Sequence, residues 1–332
     1  TVRLRTVHRA DQRPVGPRGS LDGLARLAGD ARERAEREGL TLAGAAVAVP
    51  GLVAAGGLVR LAPNLGWRDV DVLGALRRHP ALADLSVSVD NEANLAALGE
   101  LHAGPGGPVN FLYISGEIGV GAGIVLGGSL YRGGRGWSGE LGHLPVRPEG
   151  PVCRCGARGC LEQYAGQEAI LRAAGLPDGP AGPEPALARL AELAAAGDTD
   201  TLRALAGAAD ALGVAVSGVI NLLDLDTIVL GGGYPPLARW LRPGVLAEIE
   251  RRVLTAAWSP VEVRSSAWGA DAAVIGAAGA VVRSVRDDPA RWLATRRIGP
   301  PGGPAGPGGQ PARPGDDDGP VAAATGPHAV TP

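Results

Sequence analysis

Apolar and polar residues change period along this chain, and the changes mark its elements. Val2-Arg-Leu-Arg-Thr-Val-His8 alternates residue by residue, as a half-buried strand does. After a polar turn region at residues 9–18, Ser20 is placed to cap a helix whose apolar Leu21, Leu24, Leu27 and Ala31 share one face. The charged run 32–38 extends that helix as a solvated face, and Gly39 stops it. Residues 45–49 and 85–89 are short apolar strands; the first ends in Pro50-Gly51, the second opens onto Asp90-Asn91-Glu92-Ala93-Asn94 and a helix at 95–102. Residues 110–114 begin a second lobe, and Gly119, Gly121 and Gly123 alternate through a turn into Ile124-Val125, as a tight hairpin or as a loop whose amides approach an anion. Next come a helix at 162–174, a Gly/Pro linker at 175–185 and a helical stripe of Leu187, Leu190, Ala191 and Ala194. A longer helix at about 199–223 carries Leu202, Leu205, Leu212, Val216, Val219 and Leu223. Residues 226–230, ending in Gly231-Gly-Gly233, and 261–264 read as strands, Trp258 and Trp268 as structural aromatics, and 269–282 as a small-residue helix.

Alternation of strand and helix predicts an α/β chain with a mainly parallel sheet. Ligands of such sheets sit beyond the carboxyl ends of the strands. Pro50-Gly51, the loop with Asn64 and the polar segment 90–94 all fall there. The commoner fate of a loop Asn is to bridge turn backbone, and that of Asn91-Glu92 is to cap a helix. From residue 299 onward the chain is Gly, Pro and Ala with Asp316-Asp-Asp318, too poor in apolar side chains for a core, so disorder is expected.

At 332 residues the chain is long enough for two lobes with their own cores. A formal charge of −2 gives no basic field for nucleic acid. No apolar run approaches the roughly twenty residues of a membrane span, and no charged-then-apolar leader opens the chain. The expectation is a cytoplasmic protein. The chain begins at Thr1, contains no methionine, and opens with a strand that has no partner before it. It reads as an N-terminally truncated piece of a larger protein.

The densest chemistry lies at residues 138–162, SGELGHLPVRPEGPVCRCGARGCLE. All three cysteines are here, and His143, Cys153, Cys155 and Cys160 fall within eighteen residues. Three thiolates and an imidazole suit tetrahedral Zn²⁺. Gly156 and Gly159 stand where the backbone must fold back to aim the sulfurs inward. A disulfide with one free thiol is the alternative, and the odd count and C-x-C spacing weigh against it.

Gly139-Glu-Leu-Gly-His143 followed by C-x-C-G-x-x-G-C-L-E at residues 153–162 resembles the signature of the ROK family, which unites sugar-responsive repressors and sugar kinases. The glycine-rich run ISGEIGVGAGIV at 114–125 resembles its other signature. The resemblance covers roughly residues 40–285. It implies a two-lobed α/β fold, actin-like and ribonuclease-H-like, of the sugar kinase kind, with a zinc loop at 143–160 and sugar in the interlobe cleft. The implied divisions are a partial N-terminal lobe at 1–104, a C-terminal lobe at 105–268, a helix at 269–296 returning to the first lobe, and a disordered tail at 297–332.

By the same resemblance, Asn64, Asn91, Glu92, Glu140, His143 and Glu162 contact the sugar, and His143 also holds structural Zn²⁺. The kinases use an aspartate where Glu92 stands, as the base that deprotonates the accepting hydroxyl; the extra methylene disturbs in-line geometry. Glu117 sits in the run that would contact phosphate and would repel it, with Arg132 and Arg135 as partial compensation. The kinases' Asp-x-Gly-Gly-Thr loop for ATP is absent. The favoured reading is therefore the effector-binding and oligomerisation module of a regulator, dimeric or tetrameric, binding a sugar or sugar phosphate and reaching DNA through a winged helix outside this chain. The alternative is a hexose or N-acetylhexosamine kinase using ATP, Mg²⁺ and Glu92 as base.

Overall fold

The computed structural model describes residues 16–104, 106–176 and 183–295. The strand expected at 2–8 and the tail at 297–332 lie outside the described residues. Helix α1 (Gly16–Arg37) begins before the expected cap, so Ser20 sits inside it and donates its hydroxyl to the Gly16 carbonyl at 3.0 Å. Strand β1 (Ala45–Val49) follows, and then an antiparallel meander that the residue pattern did not disclose: β2 (Leu52–Ala54), β3 (Leu58–Ala62) and β4 (Trp67–Asp71). A three-residue strand is too short to show a period. The β3–β4 link is one tight turn, Pro63–Leu65, closed by Gly66 at φ 67°, and it carries Asn64. Asp71 then caps α2 (Val72–Arg77) through the Gly74 amide. Strand β5 (Val87–Asn91) pairs in parallel with β1, Ala45 opposite Val87 and Val49 opposite Asn91. Val49, Val59, Trp67, Val72, Leu76 and Val87 form the core of this first lobe.

Helix α3 (Glu92–Leu101) leads to the second lobe, where β6 (Phe111–Gly116), β7 (Val120–Leu126) and β8 (Ser129–Tyr131) form successive hairpins. The helix expected at 162–174 is two helices, α4 (Glu162–Ala165) and α5 (Gln167–Ala173), because Gly166 turns to an extended ψ of 151° between them. After residues 177–182, which are not described, come α6 (Pro183–Ala195), α7 (Thr199–Leu223), β9 (Thr227–Gly232), α8 (Ala238–Arg252) and β10 (Glu262–Ser265). The sheet order is β10-β9-β6-β7-β8, parallel from β10 to β6 and antiparallel beyond, so the sheet is mixed where a mainly parallel one was expected.

Helix α7 is long and apolar enough to cross a membrane by length and composition, with a mean hydropathy of 1.6. Here it buries Leu205, Leu212, Val216 and Ile220 in the second lobe's core and packs on α8. Trp258 was expected to be structural and is 80% exposed, while the Trp268 indole donates to the Gly99 carbonyl at 3.1 Å. Helix α9 (Ala272–Asp287) lies along α3 and against β1. The two helices meet at Gly99 and Gly276, where a methyl group on either would fall on the other's backbone. A short helix, α10 (Pro289–Thr295), follows.

Candidate functional site

Strand ends from both lobes converge on a cleft of about 540 Å³. Pro50-Gly51 at the exit of β1, Asn91-Glu92 at the exit of β5, the β3–β4 turn and the β6–β7 turn supply most of its wall. The segment after β8 contributes Glu140 and His143, and the first residue of α4 contributes Glu162. Asn64, Asn91, Glu92, Glu140, His143 and Glu162 thus all line one cavity. The pattern alone did not bring in Ser115 or the wall of Ala270, Ala273 and Val274 at the start of α9. That wall comes from a helix more than a hundred residues beyond the other elements, and no local periodicity announces it.

The glycine run has a packing explanation. A Cβ at Gly123 would approach the Ala93 carbonyl and the Ala97 methyl to 2.6 Å, and one at Gly121 would meet Ala93 at 3.1 Å, so both glycines seat α3 against β7. A Cβ at Gly119 would fall on the Glu162 carboxylate. Two amides of the turn point at protein acceptors. Val120 N–H donates to Glu162 Oε2 at 3.3 Å, and Ala122 N–H donates to the Gly139 carbonyl at 3.1 Å. The run forms the β6–β7 hairpin, with its turn in the cleft wall.

Each polar side chain is held by its element. Asn91 caps α3, accepting from the Asn94 amide at 3.1 Å, while its own amide donates to the Gly51 carbonyl at 2.9 Å. It staples the exits of β1 and β5 together. Glu92 opens α3 and accepts from the Ser115 hydroxyl at 3.1 Å. Burial, reinforced by the charge of Glu117, pushes its pKa up to about 7 against the Ser115 hydrogen bond. Burial also raises the Glu140 carboxyl, with His143 opposing and Glu162 adding. Asn64 Oδ1 accepts from Arg154 at 3.4 Å, and Arg154 is itself ion-paired to Glu168 at 2.7 Å.

The metal-ligand candidates also come together. The donor atoms of His143, Cys153, Cys155 and Cys160 lie within 4.8 Å of one another. The Cys155–Cys160 sulfur separation is 3.7 Å, and Cys153 Sγ is 3.8 Å from His143 Nδ1. A tetrahedron with metal–sulfur bonds of about 2.3 Å has edges of about 3.8 Å, so the set fits a zinc-sized ion. Gly156 and Gly159 adopt left-handed φ of 94° and 67° between the sulfurs. Burial and the neighbouring thiols push Cys160 up to about 12, so a bound cation is what would hold this set as thiolates. The other imidazole nitrogen, Nε2, is 3.8 Å from Glu140 Oε2 and turns toward the cleft. One histidine thereby joins the metal loop to the cavity wall.

The cleft is acidic. Glu92, Glu117, Glu140 and Glu162 line it, and no arginine does among the described residues; the chain has no lysine at all. Arg132 and Arg135 do not line it beside Glu117 as expected. Both line a separate groove of about 730 Å³, where Arg132 forks the Asp90 carboxylate at 2.9 and 2.5 Å. Strand registry explains this: Asp90, one residue before Asn91, faces the opposite side of β5 and draws the guanidinium there.

Two α/β lobes that present strand ends to a shared cleft, bound together by crossing helices, define the actin-like, ribonuclease-H-like class to which sugar kinase folds belong. Within that class the chain belongs to the ROK family, whose model matches residues 13–284. It is similar to the xylose repressor of Bacillus subtilis, with 29% identity over 73% of this chain and 61% of the repressor, so it spans about three fifths of that relative's length. It is also similar to the kanosamine kinase of Amycolatopsis mediterranei, with 36% identity over 77% of this chain and 82% of the kinase. Among solved structures, a Streptomyces griseus ROK glucokinase in complex with glucose and AMPPNP superposes with TM-score 0.69 at 28% identity, covering 81% of this chain and 89% of that one. A ROK transcriptional regulator homologous to E. coli MLC superposes with TM-score 0.69 at 25% identity, covering 85% and 72%.

Proposed function

We propose that this chain is the sugar-binding and oligomerisation module of a ROK transcriptional regulator, working in the cytoplasm as a homodimer or homotetramer. Its DNA contacts would come from a winged helix outside this chain. The observation that carries the proposal is the charge of the cleft: four carboxylates and no arginine among its described residues. A transferring phosphoryl group spreads negative charge that a kinase must stabilise with cations. Glu117 does the opposite at the β6–β7 turn. Glu92, Glu140, Glu162, Asn64 and Asn91 instead offer acceptors and amide hydrogens suited to sugar hydroxyls. Structural Zn²⁺ on His143, Cys153, Cys155 and Cys160 would fix the positions of His143 and Glu162 without entering any chemistry.

One observation favours the kinase alternative. A carboxyl titrating near 7, as Glu92 does, is matched to general-base work at neutral pH. Such a kinase would phosphorylate a hexose or N-acetylhexosamine with ATP and Mg²⁺. Two measurements separate the readings: calorimetry of the chain with sugars in the absence of nucleotide, and a coupled ADP-release assay. Sugar binding without turnover is the expected result. Steady ATP-dependent phosphorylation would overturn the regulator reading.

A further inference from the structure

The three most exposed large apolar side chains among the described residues are neighbours. Leu222, Leu254 and Trp258 are 83%, 81% and 80% exposed, and the next, Val152, is 59%. Helices α7 and α8 pack on each other and end side by side. Asn221 ties the two ends together: its side-chain amide donates to the Arg252 carbonyl and its Oδ1 accepts from the Leu254 amide, each at 3.0 Å. Leu222 is the next residue of α7. Trp258 lies four residues past Leu254, in a turn closed by its own amide on the Thr255 carbonyl at 2.9 Å. The patch stands where β9 and β10 begin, beside the bond from the Glu262 amide to the Asp226 carbonyl at 2.8 Å. The cleft is at the other end of β9, where Gly232 pairs with Gly116 ahead of the β6–β7 turn.

The lobe's own core does not call for these residues. Leu222 is off the α7 stripe of Leu205, Leu212, Val216 and Ile220, all of which are buried. A single exposed leucine needs no explanation, but these three together present on the order of 500 Å² of apolar surface, the size of patch that marks an interaction site. The rim carries both signs. Asp224 and Asp226 are exposed on the α7 side. Arg251 and Arg252 are exposed on the α8 side, where the two guanidiniums share the one buried carboxylate of Glu248. A partner of one sign would meet like charge along part of this rim. A copy of the same surface does not. Turned about a two-fold axis that crosses the patch between its acidic and basic sides, it sets aspartates against arginines twice.

We propose that Leu222, Leu254 and Trp258 are the centre of a homodimer interface between two copies of this chain. The inference rests on the reading of the chain as an oligomerising module and names the surface that it uses. The apolar centre supplies more than half of the roughly 800 Å² that each partner gives to a stable interface of standard size, and the charged rim supplies the rest. Trp258 is the anchor, since a tryptophan surrounded by a polar rim carries much of the binding energy of such contacts. An interface at this end of β9 leaves the cleft of each copy open.

Light scattering on a size-exclusion column, with the full zinc-loaded chain over a wide range of concentration, tests this. The expected mass is that of a dimer, falling toward a monomer on dilution. Trp258→Ser and Leu254→Ser should each raise the dimer's dissociation constant ten-fold or more. Asp224→Asn, which keeps a side chain that tolerates the left-handed turn, should raise it several-fold. Leu40→Ser, at an exposed apolar position of the first lobe, should change nothing. In the unaltered chain tryptophan emission should shift to the blue as the dimer forms, because Trp258 leaves water, so this arm stands even if a variant folds poorly. A dimer untouched by all the patch substitutions, or one that forms with no blue shift, would overturn this interface and leave the oligomeric reading standing. A chain that is monomeric at every concentration would overturn both.

Discussion

At the scale of single residues, Glu92 ties fold to function most tightly. Its ordinary pKa of 4.5 is raised to about 7 in the folded chain, so the native state holds this proton more tightly than the unfolded one. The stabilisation is complete below about pH 4.5 and is lost as pH rises through 7. A tenfold difference in proton affinity is worth about 1.4 kcal/mol, which gives about 3 kcal/mol across the window. Glu92→Gln keeps the shape and removes the titration. Its stability relative to the unaltered protein should therefore rise between pH 5 and 8, by urea unfolding of both proteins at each pH. A difference that stays flat over that range would show that Glu92 is solvated. The residue type and position are legible in the sequence because a strand exit followed by a helix start puts 91 and 92 at a mouth. The protonation is not, because it depends on Glu117 and Ser115 arriving across the cleft from β6 and the β6–β7 turn.

At the scale of elements, legibility follows length and local termination. Helix α7 can be bounded at 199–223 from the sequence because its apolar stripe is long. The Asp198 side chain accepts from the Thr201 amide at its start, and Asp224 turns left-handed at φ 52° after its end. The β2–β3–β4 meander stays hidden because its strands run three to five residues, and the break at Gly166 lies inside a continuous apolar pattern. The α3–α9 crossing is equally silent in the residue pattern, because Gly99 and Gly276 matter only together. It gives a paired test. Gly276→Ala places a methyl on the Leu95 carbonyl and should destabilise by about 1–3 kcal/mol despite the better helix propensity of alanine. Gly279→Ala, three residues further along the same helix, meets only the flexible end of Arg283 at 3.3 Å and should stabilise by about 0.5–1 kcal/mol. Thermal melts of both variants check the pair. Equal effects would mean that the helices do not cross where Gly99 and Gly276 touch.

At the scale of the whole molecule, the fold does not separate regulator from kinase, since one solved structure of each kind superposes with TM-score 0.69. The structure instead shows how the parts of this chain are coupled. His143 offers one ring nitrogen to the sulfurs and the other to Glu140 across the cavity wall, and Glu162 begins α4 two residues after Cys160. Most of the second lobe's core comes from α7, α8 and the β9–β6 pair, to which the loop segment adds Leu141, Leu161 and Ala165. Removing the metal should therefore loosen the site without unfolding the lobe. After chelation, hydrogen exchange should accelerate at residues 140–166 and stay slow in α7, while sugar affinity falls ten-fold or more. Readdition of zinc should restore both. Sugar affinity unchanged in the chelated protein would uncouple the loop from the cleft. It would leave the hydrogen bonds of Glu162 to Val120 and of Asn91 to Gly51 as the groups that order the cavity.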